Sequence, residues 1–97
     1  MSFYLFIVCK ELKLFGNYPN PFNPSTKVEF TAPGNGNVRL SVYNVLGQKV
    51  ATLFNGTVDA ENLYTANFDA SGMASGLYFS VLEFGNQRMT NKMLMAK

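Results

Sequence analysis

The chain has no histidine, and that absence removes the usual general base, the Ser-His and Cys-His nucleophile pairs and the commonest metal ligand. Its single cysteine, Cys9, has no partner for an internal disulfide, puts a structural zinc site out of reach and is silent about redox compartment. Charge is scarce: 14% of residues are charged, and eight basic against six acidic side chains give a net charge of +2. Lys10, Lys13, Lys27, Arg39, Lys49, Arg88, Lys92 and Lys97 are scattered singly, so neither nucleic acid nor an anionic membrane finds a basic stripe. Long apolar runs are also missing. The one strong run, Ser2-Phe3-Tyr4-Leu5-Phe6-Ile7-Val8-Cys9, is far short of the ~20 residues of a membrane helix. No positive charge precedes it and no small-residue cleavage site comes after it, so it reads as a buried or edge strand, or as a stretch foreign to the domain, rather than as a signal peptide. Exposed at a terminus, it would be an aggregation liability. The expectation is no cofactor, no nucleic acid, no direct membrane insertion and no enzyme.

What is present is enough for one domain. Ninety-seven residues, 47% of them apolar, can bury about 60 to 65% of the unfolded chain's surface without covalent staples. The chain is organised around Asn17-Tyr18-Pro19-Asn20-Pro21-Phe22-Asn23-Pro24-Ser25-Thr26, which holds three of the four prolines. Each proline fixes φ near −65°, removes a donor and pushes the preceding residue to extended geometry, so the stretch is a stiff, kinked lead-in rather than a helix. Tyr18 and Phe22 stand four residues apart on it and are expected to dock as plugs against the rest of the domain, since a rigid backbone loses little entropy on docking.

The chain on either side of the lead-in reads as strands. Leu12-Lys13-Leu14-Phe15, ending at Gly16, suggests a short first strand. In residues 27–31, Val28 and Phe30 face inward and Lys27, Glu29 and Thr31 outward; in residues 38–43, Val38, Leu40 and Val42 alternate with Arg39, Ser41 and Tyr43. Asn35-Gly36 and Asn55-Gly56 read as tight turns, the second closing a strand over 48–54, and Gly85-Asn86 carries the type II′ hairpin signature. Asn44-Val45-Leu46-Gly47 has a turn former at each end, Asn62 is a candidate for left-handed backbone, and Tyr64, Ala66 and Phe68 share a face. Asp69-Ala70-Ser71-Gly72-Met73-Ala74-Ser75-Gly76 is a small-residue loop with an Asx turn expected at Asp69. Residues 77–84 are apolar on both faces, as for a central strand covered on both sides, and Met89, Met93, Leu94 and Met95 load the last strand. About seven short strands and no sustained helical period give an all-β, immunoglobulin-like antiparallel β-sandwich, with a small closed barrel as the other architecture.

Several motifs have weaker claims. Asp59, Glu61 and Asp69 are close in sequence but lack calcium-loop spacing, and read as solvated loop. Asn55-Gly56-Thr57 fits the glycosylation pattern but reads better as the turn, while Pro24 spoils the pattern at Asn23. Gly72 and Gly76 have a small-residue helix spacing in a polar loop, where it means nothing. The nine Phe and five Tyr fall on alternating strand positions and read as core rather than as a carbohydrate platform.

Together, the ten-residue lead-in, Val42-Tyr43-Asn44-Val45-Leu46-Gly47-Gln48-Lys49-Val50, Phe68-Asp69-Ala70-Ser71-Gly72-Met73-Ala74-Ser75-Gly76-Leu77-Tyr78-Phe79 and the closing Lys92-Met93-Leu94-Met95-Ala96-Lys97 resemble the C-terminal sorting domain of type IX secretion cargo, in order and spacing. The resemblance covers residues 11–97 and leaves residues 1–10 as an extension: a linker, a passenger remnant or an artefact of expression. It implies a seven-stranded immunoglobulin-like sandwich without activity of its own, at the end of a secreted protein of Bacteroidetes-type bacteria. It further implies recognition in the periplasm, passage of an N-terminal passenger through the outer-membrane translocon to the cell surface or medium, and removal by a sortase-like peptidase. The residues it marks are Asn17, Tyr18, Pro19, Asn20, Pro21, Phe22, Asn23, Pro24, Tyr43, Gly47, Asp69, Gly72, Gly76, Tyr78, Lys92 and Lys97. Two positions depart from the family pattern: Asn44 stands where Asp is common, and Ala60-Glu61-Asn62 replaces an Ala-Gly turn. With only residues 1–10 ahead of the domain, the chain is expected to be part of a longer precursor or to begin at a misplaced start codon. The competing reading is an immunoglobulin-like adhesion or carbohydrate-binding module.

Overall fold

A computed structural model of the protein describes residues 12–60 and 62–96. The apolar run at 2–9 with Cys9, the proposed boundary at Glu11, and Glu61 and Lys97 lie outside the described residues. The elements are β1 (Lys13–Leu14), β2 (Ser25–Thr31), β3 (Gly36–Asn44), β4 (Lys49–Val58), β5 (Tyr64–Asp69), β6 (Gly76–Phe84) and β7 (Gln87–Met95). They form a three-stranded sheet, β1-β2-β5, and a four-stranded sheet, β4-β3-β6-β7, with every neighbouring pair antiparallel. The expected all-β sandwich of about seven strands is what the chain adopts. Its fourth strand lies beside the third rather than the fifth, an arrangement found among immunoglobulin-like sandwiches.

The core follows from period-2 alternation. Val28, Phe30, Ala66 and Phe68 project from the three-stranded sheet onto Val38, Leu40, Val42, Leu82, Met93 and Met95 of the four-stranded one, and all are buried. Aromatic rings close both ends of this layer. Phe22, Phe68 and Tyr78 pack in sequence with centroids 5.8 and 6.0 Å apart at one end, and Phe30, Phe54 and Tyr64 cluster at 5.4 to 5.8 Å at the other.

Tyr78 also fixes the chain's turn into β6. Its hydroxyl donates to the Ala74 carbonyl at 2.6 Å while its ring is buried, the tyrosine-corner arrangement of immunoglobulin-like folds. The β6–β7 hairpin turns as expected. Gly85 takes φ +60° and no non-glycine residue among the described residues has positive φ, so the turn is of type II′ rather than I′.

Other turn expectations are corrected. Asn55-Gly56 is not a hairpin turn: β4 runs through it, pairing Asn55 with Arg39 and Gly56 with Val38 on the way to buried Val58. The ladder offered by β3 outweighs the local preference of an Asn-Gly pair. Pro33-Gly34-Asn35-Gly36 is a crossover between sheets rather than a tight hairpin, and neither glycine has positive φ. Gly36 instead lets the Phe84 ring come close, since a Cβ there would lie 3.0 Å from it; Asn35 Oδ1 accepts from the Ala60 amide at 3.1 Å. Asn62 is not left-handed either.

Two face assignments also change. Ser41, expected to face outward, is 1% exposed, and its hydroxyl has no hydrogen-bond partner. We have no physical account of that orphaned hydroxyl. The expectation that β6 is covered on both sides fails at Leu77, which is 41% exposed on the face away from the core.

Candidate docking surface

The strand directions bring the sequence motifs to one pole. Register pairs Ser25 with Asp69, Tyr43 with Lys49, Asn44 with Tyr78 and Gly76 with Met95, so β2 and β6 begin, and β3, β5 and β7 end, at the same side of the sandwich. Every quoted motif is therefore at this pole, apart from Lys97, which lies outside the described residues.

The lead-in closes the pole. It carries cis peptide bonds at Tyr18-Pro19, Asn20-Pro21 and Asn23-Pro24. Tyr18 exchanges two backbone hydrogen bonds with Lys27 of β2, at 3.0 and 2.9 Å, and the Ala70 amide donates to the Pro24 carbonyl at 2.9 Å. Phe22 lies parallel to the end of β7: its amide donates to Leu94 O, and the Ala96 amide donates to Phe22 O. The Leu94 amide in turn donates to Asn20 Oδ1 at 3.1 Å. The edge at the end of the last strand is thus filled by the lead-in, while Met93 and Met95 pack that strand into the core.

Inside the lead-in, Asn17 Nδ2 donates to Pro19 O and Thr26 Oγ1, and Thr26 Oγ1 donates to Pro19 O at 2.9 Å. Both side chains are buried. The plug expectation holds for one aromatic of two. Phe22 is 1% exposed against Phe68, whereas Tyr18 is 80% exposed, because its backbone pairing with Lys27 turns its ring out to solvent.

The turns at this pole are set by their residues. Asn44 Oδ1 accepts from the Leu46 and Gln48 amides and Asn44 Nδ2 donates to Gln48 Oε1, with Gly47 at φ +80°. Asp69 Oδ1 accepts from the Ser71 amide at 2.9 Å and hydroxyl at 2.6 Å, which is the Asx turn expected there. The Ser71 hydroxyl and then its amide hold the Asp69 carboxyl below its ordinary pKa. Gly72 and Gly76 take φ +83° and +144°, backbone that other residues adopt only with strain.

The marked residues thus divide by what they do. Asn17, Phe22 and Tyr78 are buried; Gly47, Gly72 and Gly76 meet backbone demands; Tyr18, Pro19, Asn20, Pro21, Asn23, Asp69 and Lys92 are exposed; Pro24 and Tyr43 are half-buried. Val45, Leu46, Leu77 and Leu94 were not marked, yet they are exposed apolar side chains at the same pole. The sequence signal for Leu77 and Leu94 is their strand parity, opposite to that of core residues.

A shallow cleft of about 420 Å³ between the lead-in and β2 is lined by Tyr18, Pro19, Ser25, Thr26, Lys27 and Asn67, with Lys27 its one charged group. Asp59 and Asp69, adjacent in the calcium-loop alternative, lie at opposite poles, since Asp59 comes after the end of β4 that pairs with Gly36. No helix among the described residues is long and apolar enough to cross a membrane.

The fold and the convergent pole define an immunoglobulin-like module whose distinctive residues shape an outer surface. A family model for the secretion system C-terminal sorting domain matches residues 17–96, and the chain belongs to that family, the sorting domain of type IX secretion. It is a family of sorting signals rather than a known catalytic family. No curated protein matches the chain.

Proposed function

We propose that residues 11–97 act as the C-terminal signal that directs an N-terminal passenger through the type IX outer-membrane translocon. The domain is recognised in the periplasm, and a sortase-like peptidase then separates it from a passenger bound for the cell surface or the medium. The observation that supports this reading is the gathering of four motif stretches, the first and last with sixty-five residues between them, onto one pole of a folded sandwich. The adhesion or carbohydrate-binding alternative calls for a row of freely exposed aromatics. Tyr43 and Phe79 are half-buried and Tyr18 stands apart on the lead-in, so the described residues form no such row.

The test is to fuse residues 11–97 behind a periplasmically exported reporter in a host with type IX secretion. The reporter is expected at the cell surface or in the medium. Accumulation of a folded, uncleaved fusion in the periplasm contradicts the reading.

A further inference from the structure

The outer face of the four-stranded sheet carries a row of side chains that lies outside the core cluster. Register aligns Lys49 with Tyr43, Tyr43 with Phe79 and Phe79 with Lys92, one residue from each strand across the whole sheet. Tyr43 and Phe79 alternate with buried Val42, Tyr78 and Ser80 and lie outside the core cluster, so they face away from the sandwich interior. Beside them Leu77 and Leu94 are register partners, 41% and 40% exposed. The result is an apolar centre with an exposed lysine on each flank.

The charges of this row have no complement on the same face. Further along, Arg39 and Glu83 pair with each other at 3.7 Å, whereas neither Lys49 nor Lys92 meets a carboxylate among the described residues. Among the described residues the one acidic side chain at this pole, Asp69, ends β5 in the three-stranded sheet and is engaged by Ser71. Two lysines also fall short of the clusters of about four to eight basic residues that hold proteins on anionic bilayers.

We propose that this face docks a protein of the transport machinery that presents an apolar surface flanked by carboxylates. The proposal rests on the sorting reading. Apolar burial then supplies the contact, and the two lysines fix orientation and speed encounter.

The full chain, fused behind the exported reporter, tests it with Lys49→Glu/Lys92→Glu against Lys49→Arg/Lys92→Arg. The glutamate pair should lower delivery at least tenfold while leaving the unfolding midpoint of the purified chain unchanged, and the arginine pair should deliver normally. If the unmodified chain is not delivered, the sorting reading itself fails. If the unmodified chain and the glutamate pair are delivered alike, the sorting reading stands and this face is overturned. Three results with the purified chain also overturn it. A fall of several degrees in the glutamate pair's midpoint would show that the chain covers the face itself. Concentration-dependent dimers lost in the glutamate pair would make a second copy the occupant. Binding to phosphatidylserine vesicles lost in that pair would make it a lipid surface.

Discussion

At the motif pole the chain closes the sandwich with a separate segment, whereas at the far pole the strands simply run into their connections. The lead-in is bonded to β2, to the loop after β5 and to β7, and it places Phe22 beneath Phe68. The far pole has the Phe30, Phe54 and Tyr64 cluster, an Asn35 side chain tied to Ala60 and the two-residue Gly85 turn. Both ends bury aromatics, yet one joins the two sequence termini of the family match and the other joins stretches from the middle of the chain, Asn35 with Ala60 and Phe30 with Phe54 and Tyr64. Under the sorting reading, a substitution at the first pole therefore acts on stability and recognition together.

The largest expected effect breaks the clasp outright. Deleting residues 93–97 removes Met93 and Met95, both essentially unexposed, and the strand that Phe22 pairs with. At about 2 to 5 kcal/mol for each buried methionine, the loss approaches the whole stability of a domain this size, and urea titration should show no cooperative transition. A single substitution then sharpens the contrast within the lead-in. Phe22→Ala should cost about 3 to 5 kcal/mol, while Tyr18→Ala should stay within about 0.5 kcal/mol, read as shifts in denaturation midpoint.

Tyr78→Phe keeps the buried ring and loses only the bond to Ala74, so about 1 kcal/mol is expected from the same titration. The smallest effect is one of pH. Because Ser71 lowers the folded-state pKa of Asp69, its contribution is present above the unfolded value of 3.8 and is lost as pH falls through the lower folded value. The stability gap between wild type and Asp69→Ala should accordingly narrow on acidification below that value, and a gap that widened would reverse the assignment.

The alternation of residues 27–31 and 38–40 was legible because there β2 and β3 bury one face, and burial writes period 2 into the sequence; at Ser41, buried between Leu40 and Val42, that rule breaks. The Gly85 turn was legible because its backbone requirement is local. Asn55-Gly56 misled because its conformation is decided by pairing with residues 38 and 39, which no local rule sees. Tyr18 and Phe22 looked alike because their composition and spacing are alike; opposite outcomes come from partners at Lys27 and Leu94, nine and seventy-two positions away from them. Tyr78 was marked by resemblance, but its hydroxyl bond depends on the turn before β6. The outward-facing position of Phe79 beside Tyr43 was concealed by the assumption that a strand apolar on both faces is covered on both.

The lead-in's hold on the edge at the end of β7 is what joins the two ends of the domain. Residue-resolved amide hydrogen exchange on the native protein tests it, since the Leu94 and Ala96 amides donate to Asn20 and Phe22 rather than to water. Both amides should be protected, and Asn20→Ala should release Leu94 while leaving Ala96 slow. Exchange of both at the rates of an unstructured chain in the wild-type protein would mean that the edge is open and the clasp does not form.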